Sequence, residues 1–134
     1  MERWVLRLWS GVRERGAVAQ SARVPDGLVD LVARRLWAVG EPTRVRLVLM
    51  LEDREASVQE LADELGATHQ RVSKHLRLLQ GEGILARRSE GNAARYTVSD
   101  FTVPRLVEQV AAAVTGRIEE LAELAQLDDR ADAA

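Results

Sequence analysis

Thr68, His69, Gln70, Arg71, Ser73, Lys74 and Arg77 place seven hydrogen-bonding side chains within ten residues, the other three being His75 and the apolar Val72 and Leu76. Amide and guanidinium groups pair bidentately with adenine and guanine edges, and hydroxyl and ammonium groups pair with phosphate oxygens. A second set, Arg87, Arg88, Asn92 and Arg95, follows a glycine-rich break. Together they suit double-stranded DNA, the first set reading bases in the major groove and the second touching phosphate or the minor groove. Either set alone reads by default as a solvated surface. Their succession along the chain is what favours a nucleic-acid partner.

Catalysis finds no comparable set. There is no glycine-rich phosphate loop and no nucleophile placed beside a base. The only two histidines, His69 and His75, both fall in the cationic segment. His75, beside the apolar Leu76, suits a hydrogen-bonded packing role, and His69 faces DNA or solvent. The chain has no cysteine, which excludes disulfides, thiolate ligands and thiol redox sensing. Glu108, Glu119, Glu120 and Glu123 have no imidazole near them in sequence and read as surface charge. No enzyme activity, cofactor or metal site is expected.

The segment Ser57–Leu79 must position the first set, and it reads as two short helices around a tight turn. Ser57 and Glu60 have the spacing of a capping box, and Leu61, Ala62 and Leu65 form one apolar face. Gly66 stands where a helix end needs a left-handed residue, and Thr68 can cap the second helix. Val72, Leu76 and Leu79 give that helix an inward face, so the polar residues point out. Small Ala62, turning Gly66 and plugging Val72 make a helix-turn-helix. Gly81 and Gly83 then break the helix. Ile84-Leu85 and Tyr96-Thr97-Val98 read as strands of a hairpin turning at Glu90-Gly91-Asn92.

Upstream, Trp4, Val5, Leu8, Trp9 and Val12 form one apolar stripe of an N-terminal helix, joined by a linker from Gly16 to Arg23. That stripe packs on the body or a partner subunit, or else lies on a membrane surface. A helix from Leu28 to Val39 turns Leu28, Leu31, Val32, Leu36 and Val39 to its buried side. Glu41 and Pro42 open the next helix, whose run Leu47–Leu51 suggests burial nearly all round. Glu52 to Ala56 reads as a polar turn. The last helix, Val103 to Leu127, carries Leu106, Val107, Val110, Val114, Ile118 and Leu121 on a stripe longer than a small core can cover. With Leu28 and Leu31 these residues are the expected interface of a homodimer. The resulting domains are residues 1–24 as extension and linker, 25–127 as the DNA-binding and dimerising body, and 128–134 as a disordered tail.

The net charge of −2 hides an uneven distribution. From Gly66 to Val98 six basic residues face two acidic ones, whereas three face eight from Ser99 onward. A cationic module therefore sits beside an acidic one. No apolar run approaches a membrane span, and the charged N-terminus does not read as a secretory signal. No membrane partner and a cytoplasmic location are expected.

These residues resemble the ArsR/SmtB family of winged helix-turn-helix regulators. The likeness rests on Glu41-Pro42-Thr43-Arg44, Glu60-Leu61-Ala62, Gly66, Val72-Ser73-Lys74-His75-Leu76, Leu79, Gly83-Ile84-Leu85 and the hairpin Arg87 to Tyr96, and it spans about Leu28 to Asp100. It implies a mainly α fold with a small β-hairpin wing, dimeric, to which this chain adds an N-terminal helix. It also implies a repressor bound as a homodimer to a palindromic operator. Many relatives sense metals through a Cys-x-Cys that falls here at Ser57 and Gln59, or through histidines on the last helix, which has none. An inducing signal would then be a small molecule at the dimer interface or a protein on the acidic last helix. The competing reading is a winged-helix protein–protein module with weak or lost operator binding.

Overall fold

The computed structural model describes residues 24–133. The expected N-terminal helix with its tryptophans, and the linker after it, lie outside the described residues. Two compact units divide at Arg34 and Arg35, within the first described helix, α1 (Asp26–Val39). After it come α2 (Pro42–Met50), β1 (Ala56–Ser57), α3 (Val58–Leu65), α4 (His69–Gly81), β2 (Leu85–Glu90), β3 (Ala93–Val98) and α5 (Thr102–Ala133). Helices predominate, with one small antiparallel sheet, and this is the winged helix-turn-helix architecture.

Each helix of the central motif starts and stops on local chemistry. Glu41 opens α2 by accepting a hydrogen bond from the Arg44 backbone N–H at 3.0 Å, with Pro42 at the first helical position. Ser57 and Glu60 form a reciprocal capping box on α3. Gly66 ends α3 at φ 62°, where an L side chain would meet the backbone. Thr68 caps α4 by accepting from the Arg71 N–H at 3.2 Å. Val72, Leu76 and Leu79 of α4 are fully buried against Leu47, Val48, Leu51, Leu61 and Ile84 in one core.

Four expectations need correction. First, α2 is covered on one side only. It packs on α4 and α5 and buries Arg44, Leu47 and Val48, while Leu49 remains 39% exposed. A helix of 9 residues with neighbours on one flank cannot be enclosed. Second, the polar turn ends early. Ala56 and Ser57 form β1, pairing antiparallel with Tyr96 and Arg95, so the sheet order is β1-β3-β2. Third, among the described residues the stripe of α1 is left uncovered, so its burial would have to come from the expected dimer contact. Leu28, Leu31, Val32 and Leu36 are exposed, and only Ala38 and Val39 are buried. Fourth, α5 does not fray at Asp128 but continues to Ala133. The tail contains no glycine or proline, and its alanines and Arg130 favour helix.

The 32 residues of α5 span ~48 Å. Only Val103 and Pro104 are buried. Asp100 holds the entry to α5, accepting from the Thr102 N–H at 3.0 Å, and pairs with Arg35 of α1.

Candidate nucleic-acid interface

The core contacts of Val72, Leu76 and Leu79 fix the rotation of α4 and so divide its polar residues into stripes. His69, Ser73 and Arg77 follow one another at four-residue spacing along the side facing the hairpin. With Gln59 of α3 and Arg87 and Asn92 of the hairpin they line a groove of about 610 Å³. A smaller hollow of about 320 Å³ is lined by His69, Gln70, Ser73, Lys74 and Arg77. His69, Ser73 and Arg77 therefore serve both surfaces. Arg71 lines neither. Two residues from His69 in a helix of ~3.6 residues per turn, it projects from the opposite flank. Thr68 is exposed with its hydroxyl engaged in the cap.

The hairpin separates its cations by face. Antiparallel pairing sets Arg87 opposite Tyr96 and Arg88 opposite Arg95, so Arg87 points away from the other two. Arg87 lies along the groove, its Nη1 3.5 Å from the Ser89 hydroxyl. On the far face Arg88 donates to Glu55 at 2.7 Å, and Arg95 lies 3.4 Å from Glu60. The hydrogen bond from Arg88 is the main reason that the Glu55 carboxyl sits below its usual range; the same bond raises Arg88.

Behind α4 lies a polar node that spacing alone did not reveal. Arg44 is only 9% exposed. Its Nε donates to the Ala38 carbonyl at 2.6 Å and its Nη2 to the Trp37 carbonyl at 3.3 Å. Its Nη1 lies 3.4 Å from His75 Nδ1, and the guanidinium sits over the Trp37 ring at 5.4 Å. Glu41 is 3.9 Å from the same imidazole nitrogen. Desolvation pushes the Glu41 carboxyl up, but the Arg44 and Thr43 N–H groups and the charges of His75 and Arg44 outweigh it and leave it lowered.

The residues expected at a dimer interface are largely uncovered. Val110, Val114, Ile118 and Leu121 are exposed and Leu106 is 38% exposed, whereas Val107 packs partly on the core. Leu36, Val39 and Val45 join Leu106, Val110 and Val114 around an apolar hollow of about 480 Å³. Among the described residues no helix is long and apolar enough to cross a membrane.

Comparison with known proteins agrees with this geometry. The family model of the bacterial regulatory proteins of the arsR family matches residues 41–87. The transcriptional repressor SmtB of Mycobacterium tuberculosis is 29% identical over 83 residues, a stretch covering 62% of this chain and 62% of that protein. The transcriptional regulator CmtR of Mycobacterium bovis is 34% identical over 83 residues, covering 62% of this chain and 70% of that one. A homodimeric winged helix-turn-helix DNA-binding domain from Mycobacterium bovis superposes with a TM-score of 0.63 at 26% identity, covering 74% of this chain and 94% of that one. These relatives are regulators rather than enzymes, and the chain belongs to the ArsR family.

Proposed function

We propose that the protein is a sequence-specific DNA-binding transcriptional repressor that acts as a homodimer on a palindromic operator. The groove in which His69, Ser73 and Arg77 of α4 face Arg87 and Asn92 of the wing carries this reading. It sets Arg77 of the helix, a base-reading group, beside Arg87 of the wing, a backbone contact. Gln70, Lys74 and Arg77 lead into the major groove, with Thr68, His69, Arg71 and Ser73 at its margins. Two copies joined through α1 and α5 would present two such helices to half-sites ~34–36 Å apart. The homodimeric relative supports that assembly. An electrophoretic shift of DNA from upstream of the chain's own gene tests it. Retardation by nanomolar protein, abolished by scrambling one half-site, is expected. Equal affinity for scrambled DNA would leave the protein–protein module as the better reading.

We infer that this DNA binding is not controlled by a transition metal. Ser57 and Gln59, which stand where relatives carry their cysteine pair, are occupied in the α3 cap and in a 2.8 Å hydrogen bond to Asp63. Zinc or nickel ions at micromolar concentration should leave the operator complex intact. Stoichiometric release without precipitation would overturn this.

A further inference from the structure

The face of the sheet turned away from the recognition groove carries a charge network with no place in base reading. Ser57, Arg95 and Arg88 stand side by side across β1, β3 and β2. Adjacent guanidinium groups on neighbouring strands repel one another unless carboxylates lie between them. Three do. Glu55, from the segment before β1, accepts from Arg88 Nη2 at 2.7 Å and lies 3.7 Å from Arg95 Nε. Glu60, from α3, lies 3.4 Å from Arg95 Nη1. Glu90, at the end of β2, lies 3.7 Å from both guanidiniums. Arg95 also donates to the Glu55 backbone carbonyl at 3.2 Å, and its side chain is only 26% exposed.

Three carboxylates around two guanidiniums leave this face without excess positive charge, so it has little to attract phosphate. The network instead joins three separate parts of the chain: the lead-in to β1, the first turn of α3, and both strands of the wing. Arg87 stands on the other face, along the groove beside α4. Whatever fixes the hairpin against α3 therefore fixes how far Arg87 stands from the recognition helix.

We propose that Arg88 and Arg95 are positioning residues, clamped by Glu55, Glu60 and Glu90 so that the wing holds Arg87 over the DNA backbone without themselves touching phosphate. This rests on the DNA-binding reading above and refines it. It divides the wing arginines into one contact and two struts. Exposed ion pairs are individually weak, and a shared network that closes a loop across distant segments is the setting in which they matter.

The test measures operator affinity against salt for the full-length protein and its Arg87→Gln, Arg88→Gln and Glu55→Gln variants. Backbone ¹⁵N relaxation of residues 89–93 is measured in the same proteins without DNA. Losing a phosphate contact flattens the log–log salt slope by ~0.9 per contact. Arg87→Gln should flatten it by about that amount for each protomer engaged, with wing order unchanged. Arg88→Gln and Glu55→Gln should weaken binding about three- to tenfold at an unaltered slope, with lower order parameters at the wing tip. A slope flattened by Arg88→Gln as much as by Arg87→Gln would overturn the assignment. So would tighter binding and a steeper slope in Glu55→Gln, which would make Glu55 a stand-in for phosphate. Wing order unchanged in both variants would overturn it as well. The relaxation measurements need no DNA, so they decide the clamp even if the wild-type protein binds no operator.

Discussion

Arg44 illustrates how much one side chain can organise. Its guanidinium closes the end of α1 by binding the carbonyls of Trp37 and Ala38, and it touches His75 on α4. The recognition helix is thus tied to α1, the helix whose exposed stripe suits dimer contact. Replacing Arg44 with Met keeps the bulk and removes the side-chain donor from the buried Ala38 carbonyl, while the Trp37 carbonyl keeps the Gly40 N–H. The expected loss is ~2–3 kcal/mol in urea unfolding, with Arg44→Lys less severe because one donor survives. A second expectation concerns base reading. Arg77 lies on both outer surfaces of α4, whereas Arg71 lies on neither. Arg77→Ala should therefore relax base preference, at ~1–3 kcal/mol for a bidentate contact. Arg71→Ala should cost visibly less across a panel of single-base operator variants. The sequence made the set of polar residues on α4 legible, because the apolar Val72, Leu76 and Leu79 define its inner face. It could not rank them, because the wing that decides which flank is a groove arrives from later in the chain. The clamp on Arg88 was hidden for a related reason, since Glu55 lies 33 residues away.

Elements whose signals are local were readable, and those that depend on a distant partner were not. The caps at Glu41, Ser57 and Thr68 and the left-handed Gly66 each announce themselves within four residues. A two-residue strand such as Ala56-Ser57 has no periodicity, and its existence depends on β3 being there to pair with it. The stripe on α1 was legible as apolar, but which surface covers it depends on a partner that lies outside the local sequence. The turn at Gly66 permits a clean prediction. Beyond its own residue and chain neighbours nothing lies within 4 Å of a Cβ added there, so the cost of Gly66→Ala is the local left-handed conformation alone. That cost is ~1–2 kcal/mol, read as a lower thermal midpoint. Acid should act on the same joints. Glu41, Glu55 and Asp100 have carboxyls lowered from ordinary values of 4.5, 4.5 and 3.8. For Asp100 the first cause is the Thr102 hydroxyl, with the Thr102 N–H and Arg35 adding to it against desolvation. A lowered folded value means that the stabilisation is complete above the unfolded value and fades as pH falls through the folded one. Urea midpoints should be flat from neutrality to about pH 5 and decline below pH ~4. Glu55→Gln should remove part of that decline.

At the largest scale, the dominant fact is the apolar surface left uncovered along α5 and at the end of α1. Val110, Val114, Ile118, Leu121, Leu124 and Leu127 are each 49–62% exposed along α5, and Leu36 at the end of α1 is 50% exposed. Large contiguous apolar faces of this kind mark sites of association. In the proposed dimer, a two-fold pairing along this stripe would present two copies of α4 together. Val114→Glu should place a charge in the proposed seam twice, once from each copy. The expected outcome is a monomer in light scattering at micromolar protein. Losing the link between half-sites should also weaken operator binding by about a hundredfold or more, because the second contact is no longer intramolecular. Gln126→Glu adds the same charge to an exposed polar position of the same helix. It should leave both measurements near wild type, which separates loss of the seam from electrostatic repulsion of DNA. A Val114→Glu protein that stays dimeric and binds normally would move the interface elsewhere on the molecule.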